Sequence, residues 1–161
     1  MPNEAHPSPA FAPVAQQVAR RVILRRWLAW LGQTLWAAVA AMAVLSIVTA
    51  WTGQKVYAVL LWSLLSAWIL VPLGLAWWRQ SGHYSNLALW DLAAGRREAF
   101  ASAWWFEQQP TLTTAEMDHV KFQQLLIREA LPRLSRDLPL QPHRWLCLPL
   151  ILALLSLFLG Q

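Results

Sequence analysis

The sequence predicts an all-α membrane protein with three transmembrane helices, a hairpin plus a C-terminal span, and a small cytoplasmic helical segment. Hydrophobic residues make up 57% of the 161 residues and charged residues only 13%, whereas soluble domains carry about 25% charged residues. Three windows, 27–54, 56–78 and 145–161, contain no Asp, Glu, Lys or Arg. The 12 tryptophans are typical of proteins that meet the membrane interface. This composition disfavours an ordinary soluble enzyme.

Prolines and charges divide the chain into segments. Pro2, Pro7, Pro9 and Pro13, without an apolar period, indicate a flexible tail. From Val14 onward, valines recur at helical spacing among arginines, which is typical of an amphipathic helix lying at lipid headgroups. The predicted segments are the tail (1–13), a basic amphipathic juxtamembrane helix (14–26), a first span (27–51), a short outer loop (52–55), a second span (56–78), a cytoplasmic helical segment (79–144) and a third span (145–160).

The predicted spans differ in length. A spanning helix needs about 20 mostly apolar residues to cross roughly 30 Å of hydrocarbon. Residues 27–51 and 56–78 meet this length, and the four residues that join them require an antiparallel hairpin. Residues 145–160 number only 16, about 24 Å of helix, and we expect them to span with local thinning of the bilayer. A half-inserted or interfacial segment is the alternative.

The basic residues predict the orientation, because Lys and Arg are retained on the cytoplasmic side of a membrane. Four arginines precede the first span and eight basic residues lie in 79–144, against one lysine in the outer loop. We therefore expect the N-terminus and residues 79–144 in the cytoplasm and the C-terminus on the extracytoplasmic side.

Local signals predict three short helices in the cytoplasmic segment. The first has Ser85 or Asn86 as its N-cap and stops at Gly95. The third begins with a capping-box pattern, in which Thr113 precedes Glu116 by three residues. In the second helix, at 100° per residue, Trp105 falls in the middle of a polar stripe. The predicted helices span about 85–95, 97–109 and 113–131, and the packed face of the second is Phe100, Ala103 and Trp104.

Seven residues are candidate contacts with partners or lipid. Gln33 is the only long polar side chain deep in a span and predicts an interhelical hydrogen bond. The arginines before the first span predict contact with anionic headgroups, and a positive-inside anchor without lipid recognition is the alternative. Trp105 is an aromatic residue on a polar face, which predicts contact with a partner or a membrane. The alternative is that its exposure is merely tolerated. The candidates are Trp105, Gln33, Trp36, Arg20, Arg21, Arg25 and Arg26.

The sequence predicts no catalytic residue, no cofactor and no metal. None of the four histidines lies inside a span, which argues against haem, and the lone Cys147 has no companion thiolate. Ionisable residues are absent from the spans, which argues against a self-contained ion-coupled transporter. Near-balanced charges in 79–144 argue against a nucleic-acid partner. A lipid-modifying enzyme built on Asp91, His119 and His143 is a weaker alternative, because no spacing supports it.

Two stretches of the chain carry a family-like pattern. Residues 89–103 read Leu-Trp-Asp-Leu-Ala-Ala-Gly-Arg-Arg-Glu-Ala-Phe-Ala-Ser-Ala, and residues 135–140 read Ser-Arg-Asp-Leu-Pro-Leu. With Asp91 and Gly95 in place, this layout resembles a loose group of uncharacterised bacterial inner-membrane proteins with an N-terminal two-span hairpin, an LDRxxGLxDR-like cytoplasmic stretch and a further span. Leu92 stands where that group has a basic residue. The resemblance implies a helical protein of the bacterial inner membrane without known catalytic residues.

The predicted function follows from this architecture and from the lack of candidate catalytic, cofactor-binding and metal-binding residues in the sequence. We expect a non-enzymatic accessory or scaffold subunit that docks other membrane protein subunits through its cytoplasmic helices and spans. The alternative is a structural subunit of a transporter or secretion channel, in which Gln33 and Trp36 line a path.

Overall fold

The chain is helical in the computed structural model, which describes residues 11–52 and 55–159. Within these residues the all-α prediction is confirmed. Residues 1–10 of the predicted tail, 53 and 54 of the outer loop and 160 of the third span lie outside the described residues. The helices are α1 (Phe11–Thr52), α2 (Lys55–Trp78), α3 (His83–Ala93), α4 (Ala99–Glu107), α5 (Thr114–Ala130), α6 (Leu134–Asp137) and α7 (Leu148–Leu159), with a 3₁₀ turn at Leu131–Arg133.

The described residues form two compact units. The helical unit combines residues 11–22 of α1 with residues 80–139, and the hairpin unit combines 23–52 and 55–79 with 140–159. Helix α1 therefore contributes to both units. Its 42 residues make it about 63 Å long, about twice the thickness of the hydrocarbon core, so only part of α1 can lie inside a bilayer.

The first turns of α1 belong to the core of the helical unit. Phe11, Val14 and Val18 are buried in one cluster with Leu87 and Trp90 of α3. The apolar face of the predicted juxtamembrane helix is thus covered by the protein's own helices and does not lie on lipid headgroups. Full burial of a side chain such as Phe11 stabilises by about 1.5–3 kcal/mol. The predicted tail also ends too late, because α1 already begins at Phe11.

The start of α5 follows its local signal. The side-chain oxygen of Thr113 accepts the backbone N–H of Glu116 at 3.4 Å, and Oε2 of Glu116 accepts the backbone N–H of Thr113 at 2.8 Å. The predicted capping box is therefore confirmed. At the other end the chain tightens into the 3₁₀ turn that contains Pro132, as expected where proline removes a helical donor.

The start of α3 does not follow its local signal. The helix begins at His83 after Gly82, so the predicted N-cap at Ser85 or Asn86 is wrong. Asn86 is buried instead, and its side-chain amide donates to the carbonyl of Ser81 at 3.0 Å. Because Asn86 is buried within the helix, it does not serve as the N-cap, and α3 begins upstream of the predicted cap.

Among residues 11–52 and 55–159, two helices are long and apolar enough to cross a membrane. Their qualifying segments are Phe11–Val48 in α1 and Val59–Trp78 in α2. In the hairpin unit, α1 and α2 share a small buried cluster that includes Met42 and Leu61. The outer surfaces of both helices stay largely exposed, as expected of apolar helices that face lipid.

Hydrogen bonds between tryptophans and the opposite helix fix the pairing of α1 with α2. The indole N–H of Trp27 donates to the carbonyl of Ile69, and the indole N–H of Trp68 donates to the hydroxyl of Thr34, each at 3.0 Å. An unsatisfied polar group in hydrocarbon costs several kcal/mol. These two bonds therefore disfavour other registers of the hairpin.

The structure does not confirm a third span. Helix α7 has 12 described residues and begins at Leu148, three residues after the predicted start, which makes it about 18 Å long. It packs against α2, and Ala153 joins the buried cluster of the hairpin. The segment before it meets α1, because a Cβ added to Gly32 would lie 3.6 Å from the Cβ of His143.

Candidate docking surface

A groove runs along one face of α3 in the helical unit. Its helical wall has the i, i+3, i+4, i+7 spacing of a single helix face, and its opposite wall is the turn that joins α3 to α4. Leu92 is 78% exposed, so this face of α3 is apolar and open. The groove has a volume of about 600 Å³ and is lined by Tyr84, Ser85, Ala88, Leu89, Leu92, Gly95, Arg97 and Glu98.

Backbone strain shapes the turn that forms one wall of the groove. Arg97 has φ +43° and Glu98 has φ +59°, beside Gly95 at +71°. A side-chain-bearing residue in the left-handed region costs roughly 1–2 kcal/mol. Two such residues in succession persist only where their surroundings fix them.

The buried carboxylate of Asp91 fixes this turn. Its Oδ2 accepts the backbone N–H of Phe100 at 2.8 Å and of Ala101 at 3.0 Å, and its Oδ1 accepts Nε–H of Arg96 at 3.0 Å. Glu98, the N-cap residue of α4, makes no side-chain cap hydrogen bond, so Asp91 caps α4 from α3. Burial raises the pKa of Asp91, and the three hydrogen bonds lower it only in part.

Arg96 extends this cluster to α6. Its guanidinium carbon lies 4.6 Å from the ring centroid of Trp90 and 4.5 Å from that of Phe100. Its Nη1 lies 3.7 Å from Oδ2 of Asp137, which also accepts the indole N–H of Trp90 at 2.9 Å. The cluster holds α3, α4 and α6 together. Asp91 is therefore structural and closed to a substrate, although the lipid-modifying alternative relied on it.

A second groove adjoins the first at Tyr84. It has a volume of about 350 Å³ and is lined by Tyr84, Ser102 and Trp105. The hydroxyl of Tyr84 donates to Oε2 of Glu98 at 2.9 Å, and this hydrogen bond, with the charge of the carboxylate, raises the pKa of Tyr84. Trp105 is 54% exposed. The two grooves together form one partly apolar surface, called here the docking surface.

Ser102 on α4 and His119 on α5 are in contact through their side chains. Oγ of Ser102 lies 3.3 Å from Nε2 of His119 and donates to the carbonyl of Ala99 at 3.1 Å. The hydroxyl of Ser102 is thus within hydrogen-bond distance of a carbonyl of its own helix and of the imidazole on α5. The pair links α4 to α5. Within residues 11–52 and 55–159, no group of three His, Cys, Asp or Glu side chains could hold a metal ion.

The faces predicted for α4 are found in the structure. Phe100 and Ala103 are buried, Trp104 is half-buried against the same core, and Trp105 is exposed. The sequence therefore located Trp105 on the open side. Contact between Trp105 and a partner stays a prediction.

The other predicted contact residues do not join Trp105. Gln33 and Trp36 are exposed on α1 in the hairpin unit. Arg21 has a structural role that the sequence did not predict: its Nε donates to the carbonyl of Leu138 at 2.7 Å and its Nη2 to that of Ser135 at 3.2 Å. Arg20 and Arg25 are exposed, whereas half-buried Arg26 donates to the carbonyl of Arg79 at 2.9 Å. Contact of these arginines with lipid stays a prediction.

Sequence reasoning missed the roles of Asp91 and Arg96. An aspartate near the end of one helix, followed by glycine and a second short helix, was a local signal for a cap across a turn.

Comparison of the chain with protein-family models, with curated proteins and with solved structures finds no match.

Proposed function

We propose that the protein is a non-enzymatic membrane subunit that docks an amphipathic helix of a partner protein on the docking surface. The observation that carries this proposal is the exposure of Leu89, Leu92 and Trp105 around two adjoining grooves. Apolar residues at helical spacing are typical of a groove that receives a helix. Arg97 and Glu98 at the rim supply both signs of charge, which favours a partner helix with mixed charges.

The proposed setting is the inner membrane of a bacterium. The two apolar helices support a membrane location, and the distribution of basic residues favours a cytoplasmic helical unit. The resemblance to bacterial inner-membrane proteins supports the choice of membrane. In this setting the docking surface faces the cytoplasm, where it meets the helices of another subunit.

Site-specific cross-linking tests the docking role. A photoreactive residue at Leu92 or Trp105 is expected to give the same discrete adduct in native membranes, because both positions lie on the docking surface. The matched control is Glu129, which is exposed on α5 and lies outside both grooves. Absence of an adduct at Leu92 and Trp105, or the same adduct from Glu129, would contradict the proposal.

A subunit of a transporter or channel is the second candidate function. It is favoured by the exposure of Gln33, whose side chain makes no hydrogen bond within the described part of the chain, and of Trp36, which is 61% exposed. Gln33→Cys in a Cys147→Ser background is expected to react with a water-soluble thiol reagent if α1 lines an aqueous path. An unreactive cysteine places that face of α1 in lipid.

A further inference from the structure

The hairpin unit has an uncompensated positive charge. Residues 23–79 and 140–161 contain five basic residues and no Asp or Glu. Four of the five are arginines, at positions 25, 26, 79 and 144, and the fifth is Lys55, the first residue of α2. The distribution of these charges within the unit decides what they can bind.

The structure gathers the four arginines at one end of the hairpin. Arg26 Nη1 donates to the carbonyl of Arg79, just after the end of α2, at 2.9 Å. The segment that carries Arg144 meets α1 at Gly32, where a Cβ would lie 3.6 Å from that of His143. Gly32 lies about 9 Å along α1 from Arg26. Three elements therefore bring arginines to the end opposite Lys55.

Three of these arginines have side chains free for a ligand. Arg25, Arg79 and Arg144 are exposed, and none forms a salt bridge in the described part of the chain. The guanidinium of Arg144 lies over its neighbour Trp145, 5.5 Å from the ring centroid. Arg26, in contrast, is committed to the carbonyl end of α2, where a cation is stabilised by the helix dipole.

Exposed tryptophans mark the depth of this end in a membrane. Trp78 is 84% exposed, Trp77 62% and Trp145 47%. Tryptophan is enriched where hydrocarbon meets headgroups, so in the proposed membrane location this end of the hairpin is expected at the level of the lipid headgroups. Basic clusters between membrane helices on the cytoplasmic side bind anionic headgroups, and the planar guanidinium binds phosphate in a bidentate manner.

We propose that Arg25, Arg79 and Arg144 form a binding site for the phosphate of an anionic phospholipid headgroup. This inference rests on the membrane location proposed above and is independent of the docking role. The sequence alone placed lipid contacts on Arg20, Arg21, Arg25 and Arg26. The site retains Arg25, adds arginines from two other segments, and leaves out Arg21, which is bonded within the helical unit.

Native mass spectrometry of the full-length protein tests the site, with dioleoylphosphatidylglycerol and dioleoylphosphatidylcholine supplied in equal amounts. A basic residue near an anionic surface contributes about 1 kcal/mol, so each of Arg25→Gln, Arg79→Gln and Arg144→Gln is expected to lower the preference for phosphatidylglycerol about fivefold. Lys55→Gln removes the same charge at the other end and is expected to leave the preference unchanged. No preference in the unmodified protein, or an equal loss in Lys55→Gln, would overturn the site.

Two further experiments distinguish a specific lipid-phosphate site from general electrostatic attraction to anionic lipid. Replacement of Arg25, Arg79 and Arg144 by lysine keeps the charge and is expected to lose part of the preference, because lysine lacks the bidentate fork. An unchanged preference in this triple variant would reduce the site to general electrostatics and overturn it. Displacement of the bound lipid by millimolar inorganic phosphate would instead assign the arginines to free phosphate and also overturn the lipid assignment.

Folding and the docking role are checked separately. Circular dichroism and thermal unfolding confirm that each variant is folded, and single variants replace any triple variant that is not. The docking surface lies in the helical unit, so cross-linking at Trp105 fails or succeeds independently of lipid binding. Failure of lipid binding with cross-linking intact overturns only the lipid site.

Discussion

Asp91 on α3 accepts the backbone N–H of Phe100 on α4 at 2.8 Å. This bond spans the strained turn of the docking surface and supplies the cap that α4 lacks in its own sequence. The same carboxylate neutralises Arg96. The shape of the docking surface therefore depends on a residue that is itself closed to solvent.

Asp91→Ala is expected to destabilise the helical unit by about 2–5 kcal/mol, because the buried N–H groups of Phe100 and Ala101 lose their acceptor and each unsatisfied buried donor costs about 1–3 kcal/mol. Among its ion pairs, Arg96 keeps only its longer contact with Asp137. Chemical denaturation in detergent, followed by tryptophan fluorescence, measures the change. The control is Glu129→Ala, an exposed acid whose loss is expected to stay within about 0.5 kcal/mol. Equal stability of the two variants would show that the cap is dispensable.

Arg21→Ala is expected to lower the free energy of unfolding by about 1.5–3 kcal/mol, the range for hydrogen bonds to charged groups. Arg21 donates to Leu138 and Ser135, both in the segment that follows α5. The neighbouring Arg20 is exposed, so Arg20→Ala is the matched control and is expected to have little effect on stability. A similar loss in both variants would indicate general electrostatics in place of specific bonds.

The sequence predicted features that depend on neighbouring residues. The capping box needs only Thr113 and Glu116, and the exposure of Trp105 follows from helical spacing within α4. The role of Arg21 was missed because it depends on where a distant segment folds, whereas the cap that Asp91 supplies had a local signal that was not recognised. Leu138, the acceptor for Arg21, is 117 positions away. The apolar face of residues 14–22 was also consistent with two partners, lipid or protein, and only the tertiary structure distinguishes them.

The pH dependence of stability should reveal the capping box. Hydrogen bonds from Thr113 hold the pKa of Glu116 below its ordinary value of 4.5. Because the pKa of Glu116 is lower in the folded protein, its contribution to the free energy of unfolding is present above about pH 4.5 and is lost as the pH falls through that lowered pKa. The contribution of Asp91 to stability changes with pH in the opposite direction. Because its pKa is raised in the folded protein, this contribution is lost as the pH rises through that pKa.

Glu116→Gln isolates the first effect, because Asp91 is common to both proteins. We expect the unmodified protein to unfold at a higher temperature than the variant near neutral pH, and the two to converge in acid. Thermal unfolding of both proteins across a pH series measures the difference. A difference that persists unchanged to the lowest pH would mean that the charge of Glu116 does not contribute.

Reporter fusions test the predicted topology. The basic residues predict a cytoplasmic signal from a fusion at residue 110 and extracytoplasmic signals from fusions at residues 53 and 161. The short described length of α7 makes the last of these decisive. A cytoplasmic signal at residue 161 would mean that the third segment enters the membrane and does not cross it.

Trp105→Ala and Trp90→Ala are expected to separate docking from folding. Trp90 is fully buried and bonded to Asp137, so its truncation is expected to cost about 3–5 kcal/mol. Trp105 is 54% exposed beside a groove, so its truncation is expected to leave the unfolding temperature nearly unchanged while it weakens cross-linking from Leu92, because tryptophan is enriched among residues that dominate binding. Unchanged cross-linking, with a loss of stability like that of Trp90→Ala, would place Trp105 in the core.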